Sequence, residues 1–196
     1  MSRFQRNWHP GVDKAVRIII EYIGDDPKRS GLEDTPERFV RSIKEIYSGY
    51  EYDEKDIQNM LTVFEEEQCD SIVLLKDIDV YSTCEHHLLP FFGKAHIAYI
   101  PSDNKVVGLS KLARVLEVYS RRLQIQERIC RQVVDCLMTN LAPEGAACVL
   151  ECTHTCLCSR GVNKQGSVMV TSALGGVLFE PEGRQELMSL IFGGRR

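Results

Sequence analysis

The chain has 196 residues, 43% of them hydrophobic and 27% charged, and a net charge of −4. That length supports one domain with a sizeable core, and the acidic balance argues against a general nucleic-acid binder. Its longest apolar runs, such as Val16-Arg17-Ile18-Ile19-Ile20, are too short and interrupted for a membrane span, and Met1 to Arg6 leads into no apolar signal core, so a cytoplasmic protein is expected.

Val12, Ala15, Val16, Ile19, Tyr22 and Ile23 recur at helical spacing, and Gly24 closes that helix. Thr35-Pro36 reads as the N-cap and first residue of a second helix, whose stripe is Phe39, Val40, Ile43, Ile46 and Tyr47. Residues 1–65 are therefore expected to form a helical segment. From Ser71 the period changes, and residues 71–81 and 95–100 read as strands. Ser110 is the expected cap of a helix that buries Leu112, Val115, Leu116 and Tyr119. Ile125, Ile129, Val133, Leu137 and Leu141 mark the next helix, stopped by Pro143 and Gly145. Two strands, roughly 146–158 and 167–173, and a short helix around 184–191 follow. The order predicts an α+β fold, ββααββ after a helical pair, with two helices on one face of an antiparallel sheet. Its core would run from about 70 to 192, within a single domain covering 1–196.

Cys84-Glu85-His86-His87 and, seventy residues later, His154-Thr155-Cys156 carry the chemistry. Thiolate and imidazole suit a borderline-soft ion such as Zn²⁺. Cys84 and His87 stand at i and i+3, where one turn aims both at one ion, and Cys156 can add a third ligand. Three protein ligands plus a water describe a catalytic zinc; a structural one takes four. A strand through 152–158 would place Cys152, His154, Cys156 and Cys158 on one face, about 6.6 Å between neighbours, so Cys158 competes with Cys156.

Eight cysteines without a secretion signal read as reduced thiols, with Cys130, Cys136 and Cys148 at core positions. His96, in an alternating strand, reads as a satisfied structural histidine. Ser110, Lys111 and Arg114 share a helix start, where free N–H groups and the dipole favour a phosphate chain. Arg128 and Arg131 read as a solvated helix surface. Gln126 and Glu127 lie at another helix start, where Glu127 can cap the helix or accept two hydrogen bonds from a guanine-like edge.

These residues resemble GTP cyclohydrolase I of the zinc-dependent kind. The likeness runs through Asp34-Thr35-Pro36-Glu37-Arg38, Ser82 to His87, Gly93 to Pro101, Gly108 to Arg114, Arg122 to Arg128, His154-Thr155-Cys156, Arg160-Gly161 and Val170-Thr171-Ser172, about 12–192 in all. Cys152 and Cys158 depart from the family pattern, and residues 160–167 match it more loosely. The resemblance implies a tunnelling fold, with small sheets joined edge to edge in a homodecamer whose active sites lie between subunits. It implies hydrolysis of GTP to formate and 7,8-dihydroneopterin triphosphate, on the way to folate- or tetrahydrobiopterin-type pterins. By motif position, Cys84, His87 and Cys156 look like the zinc ligands, and His86 and His154 like acid/base groups. Gln126 and Glu127 would hold the guanine edge; Ser110, Lys111, Arg114, Arg160 and Arg38 would hold the triphosphate.

Overall fold

The computed structural model describes residues 11–65 and 69–193. Its N-terminal segment contains α1 (Val12–Tyr22), α2 (Thr35–Ile46) and α3 (Glu54–Met60). Short strands β1 (Val63–Glu65) and β4 (Lys105–Val107) form a separate antiparallel pair. The main sheet has five strands in the order β5-β2-β3-β6-β7. The long hairpin of β2 (Val73–Cys84) and β3 (Pro90–Ile100) is continued on the β3 side by β6 (Gly145–His154) and then β7 (Met169–Gly176). Two-residue β5 (Leu123–Gln124) lies parallel to Thr83 and Cys84; the other pairings are antiparallel. The expected ββααββ order is present.

Helices α4 (Leu109–Ser120) and α5 (Gln126–Leu141) cover one face of this sheet. Leu112, Val115 and Leu116 of α4 and Ile129, Val133 and Leu137 of α5 are almost fully buried against Ile97, Tyr99, Cys148 and Leu150. Alternation sends Ala98, Ala147 and Val149 to the opposite face. There they meet Leu178 and, from α7 (Pro181–Phe192), Leu187 and Ile191. The C-terminal helix thus covers part of the second face, which the sequence reading left bare.

Three local expectations are corrected. Ser110 lies inside α4, whose N-cap is Gly108, and caps nothing with its side chain. Asp34, not Thr35, is the N-cap of α2. The strand expected to run to 158 stops at His154, and residues 155–158 form a single helical turn, α6 (Thr155–Cys158).

The eight cysteines are free thiols, and Cys130, Cys136 and Cys148 are buried as expected. His96, 1% exposed, accepts from the Asp77 N–H at Nδ1 and meets the Glu151 carboxylate at Nε2, a satisfied core histidine. The apolar stripe of the N-terminal helices is only partly covered. Val16 and Ile20 are buried, whereas Ile19, Tyr22, Ile23 and Phe39 remain exposed. Among the described residues, no helix is long and apolar enough to cross a membrane.

Candidate active site

Strand β2 ends at Cys84 and the chain reverses into β3 through a tight turn. Cys84 N–H donates to the Leu89 carbonyl and Leu88 N–H donates back to that of Cys84, both at 2.9 Å. Leu88 takes φ 56°, a left-handed conformation that costs a non-glycine residue on the order of 1 kcal/mol. The reversal folds both histidines over the strand end, so Nδ1 of His86 and Nδ1 of His87 each lie 3.8 Å from Cys84 Sγ.

The end of β6 brings the second motif alongside. His154 pairs with Phe91 across β3–β6, and the rings stack with centroids 4.5 Å apart and planes 7° apart. Beyond His154 the helical turn lifts Cys156 towards Cys84. The ligand atoms of Cys84, His87 and Cys156 all lie within 4.8 Å of one another. Two ligands of a tetrahedral zinc, one sulfur and one nitrogen, stand roughly 3.6 Å apart by their usual bond lengths, close to the spacing here. Residues two apart in a helix diverge by about 200°, whereas in a strand they share a face. Cys158 therefore turns away, its thiol donating to the Lys164 carbonyl, and does not join the trio.

The electrostatics fit a cation. Burial first, and then the adjacent Cys84 thiol, push the Cys156 thiol above its ordinary pKa. Two neighbouring thiolates repel, and a divalent ion between them removes that cost. Burial likewise lowers the His154 pKa, opposed by the Glu127 carboxylate.

Sequence reasoning missed one support of the metal turn. Arg128, expected to be solvated, reaches from α5 to Glu85, each guanidinium Nη bonded to a different carboxylate oxygen. This bond is the first cause of the depressed Glu85 pKa. Glu85 N–H also donates to the Gln124 carbonyl at 3.0 Å. The residue between Cys84 and His86 is thus anchored to β5 and α5 at once. If the trio holds a metal ion, replacing Arg128 by Met is expected to weaken metal binding roughly 10–100-fold, the usual cost of removing an outer support of a metal site. Metal titration checks this, with only a modest change expected in thermal unfolding because the pair is partly exposed.

The remaining predicted residues divide in two. Glu127 is exposed at the start of α5 beside the site, and Arg160, one turn past Cys156, donates to the Cys156 carbonyl at 3.5 Å. Gln126 is adjacent too but only 1% exposed. Among the described residues, the hydrogen bonds of its side chain run to Leu150, Met169, Thr171 and His154. Ser110, Lys111 and Arg114 are elsewhere. They lie in the first two turns of α4, whose other end leads into β5 beside Cys84. Arg38 is exposed on α2 and paired with Asp34 at 3.0 Å.

A family model described as GTP cyclohydrolase I matches residues 12–192. The chain belongs to the GTP cyclohydrolase I family. The GTP cyclohydrolase 1 of Wolinella succinogenes is 55% identical over 182 residues, covering 92% of this chain and 95% of its own. That of Synechococcus sp. (strain JA-3-3Ab) is 52% identical over 183 residues, covering 93% and 79%. That of Caldanaerobacter subterraneus subsp. tengcongensis is 48% identical over 181 residues, covering 92% and 95%. The solved structure of apo archaeosine synthase QueF-Like superposes with a TM-score of 0.44 at 15% identity, over 57% of this chain and 97% of that one. The fold is α+β, with the ββααββ order expected, and the ligand atoms of the Cys-His-Cys trio lie close enough to hold a metal ion.

Proposed function

We propose that the protein is a Zn²⁺-dependent hydrolase that converts GTP and water to formate and 7,8-dihydroneopterin triphosphate, the first step towards folate- or tetrahydrobiopterin-type pterins. The observation that carries this reading is a three-donor trio, Cys84, His87 and Cys156, with two further histidines beside it and outside it. A structural site has no use for His86 and His154, whereas purine ring opening needs proton traffic in both directions. When bound, zinc supplies a Lewis acid that makes water a nucleophile near neutral pH.

The chain's own residues do the rest. Exposed His86 donates a proton at N7 of the purine, which makes C8 electrophilic, and takes it back as the ring opens. His154 serves the later transfers at the ribose. Glu127 holds the guanine edge, its carboxylate accepting two N–H bonds. Ser110, Lys111, Arg114 and Arg160, with Arg38, hold the triphosphate, whose binding energy positions the base.

This assignment requires more than one chain. Ser110 and Lys111 open α4, whose other end, about 18 Å away, leads into β5 beside Cys84, so a second protomer is read as bringing them to the site. The exposed apolar residues of α1 and α2 suit the same association. The assembly is a homodecamer with sites between subunits, located in the cytoplasm, and each protomer is one unit built on the tunnelling-fold core.

The test is incubation with GTP, with and without a zinc chelator, while formate and the fluorescence of the oxidised pterin are followed. Both products are expected one for one, lost with chelator and restored by added Zn²⁺. Zinc-loaded, assembled protein that binds GTP and releases neither product overturns the enzymatic reading in favour of a zinc-stabilised nucleotide-binding scaffold. Turnover of a later pterin intermediate but not of GTP points to a different enzyme of the same fold.

A further inference from the structure

Gln126 opens α5, yet its side chain is turned inward and almost fully buried. Its Nε2 lies 3.1 Å from the Leu150 carbonyl, 2.9 Å from the Met169 carbonyl and 2.9 Å from Thr171 Oγ1. Its Oε1 lies 2.9 Å from His154 Nε2. Backbone carbonyls only accept, so two of them at one end of an amide demand the NH₂ group there. The amide orientation is thereby settled by β6 and β7, not by the histidine. An amide oxygen also only accepts, so His154 Nε2 must carry the hydrogen between them. A neutral imidazole protonated at Nε2 has its lone pair on Nδ1. The Phe91 ring, stacked on His154, fixes the plane in which that lone pair lies. Thr171 Oγ1 is held in turn, 3.4 Å from Cys130 Sγ.

We propose that Gln126 and Thr171 are positioning residues that hold His154 in its Nε2–H tautomer, leaving Nδ1 as the atom that exchanges protons with substrate. This rests on the reading of His154 as an acid/base group. It gives Gln126 a different part from the guanine contact that the family resemblance suggests. When Nδ1 takes a proton from substrate, the ring becomes an imidazolium whose Nε2–H stays bonded to Gln126. Returning that proton from Nδ1 restores the starting tautomer. Without the fixed amide the ring can present either nitrogen, and part of the population faces substrate with an N–H where a base is needed.

The experiment uses the zinc-loaded assembly and four variants: Gln126→Met, Thr171→Val, Thr171→Ser and, as a reference, His154→Ala. Gln126→Met is expected to lower kcat on the order of 10²-fold, within the ~10²–10⁴ range a positioned acid/base group supplies. KM for GTP and zinc content should stay within about twofold of the parent, a spread too small to reflect a lost substrate contact. Because Gln126→Met uncovers buried carbonyls, Thr171→Val keeps the test alive if that chain fails to fold. Thr171→Val should lower kcat less, and Thr171→Ser, which keeps the hydroxyl, should restore it. The spectroscopic readout is solid-state ¹⁵N spectra of histidine-labelled protein, with His154 identified by its loss in His154→Ala. The parent should show a protonated Nε2 and a bare Nδ1, and Gln126→Met or Thr171→Val a mixture. A protonated Nδ1 in the parent, or a raised KM at unchanged kcat in both variants, overturns the proposal. Full turnover by His154→Ala overturns instead the acid/base reading beneath it, so the two failures are told apart.

Discussion

On the proposed zinc reading, Cys84→Ala protein is expected to lose metal binding and formate release together. Cys84 is the donor shared by the whole arrangement: it ends β2, contacts His87 and faces Cys156. Removing it leaves one thiolate and one imidazole, too few to hold a tetrahedral ion against competing water and buffer. His87→Ala and Cys156→Ala should behave alike. Cys158→Ala should keep both metal and turnover, because its thiol points to the Lys164 carbonyl. Metal analysis of each purified variant, with circular dichroism and assembly size as controls for folding, reads the result. A folded Cys84→Ala assembly that still turns over GTP would sink the metal assignment. Loss of zinc from Cys158→Ala would exchange Cys156 for its neighbour.

The second large effect is expected from the histidines that do not join the trio. His86→Ala and His154→Ala should each lower kcat by roughly 10²–10⁴-fold, the usual contribution of a positioned acid/base group, while zinc stays bound. His86 is largely exposed and bears no packing load, so its loss should leave unfolding unchanged. His154 is stacked on Phe91 and bonded to Gln126, so some loss of stability accompanies its removal. The pairing of metal retention with lost turnover is the discriminating pattern. If His86→Ala loses zinc in step with activity, the two adjacent histidines have exchanged roles; their equal distances to Cys84 Sγ make that comparison necessary.

The sequence by itself determined the features recorded at short range. Helical and strand periodicities set the order of the main elements, and Cys84 with His87 at i and i+3 marked a metal turn. The isolated His154-Thr155-Cys156 motif marked its complement. Resemblance to a family then named the residues on which the chemistry is proposed to rest. What the sequence left open depended on changes too short for a period to register, or on contacts far apart along the chain. One helical turn after His154 separates Cys156 from Cys158, and four residues cannot display a helical period. The bond from Arg128 to Glu85 spans 43 positions and exists only because α5 docks on the sheet beside β5. Gln126 looked like a surface amide at a helix start. Only the packing of β6 and β7 against that start turned it inward, where two carbonyls fix its orientation. Likewise, Ser110 and Lys111 belong to the right motif, but they stand at the start of α4, the end away from β5 and their own chain's Cys84. Local propensity sets which side chains are available; the register and docking of distant segments set which of them meet.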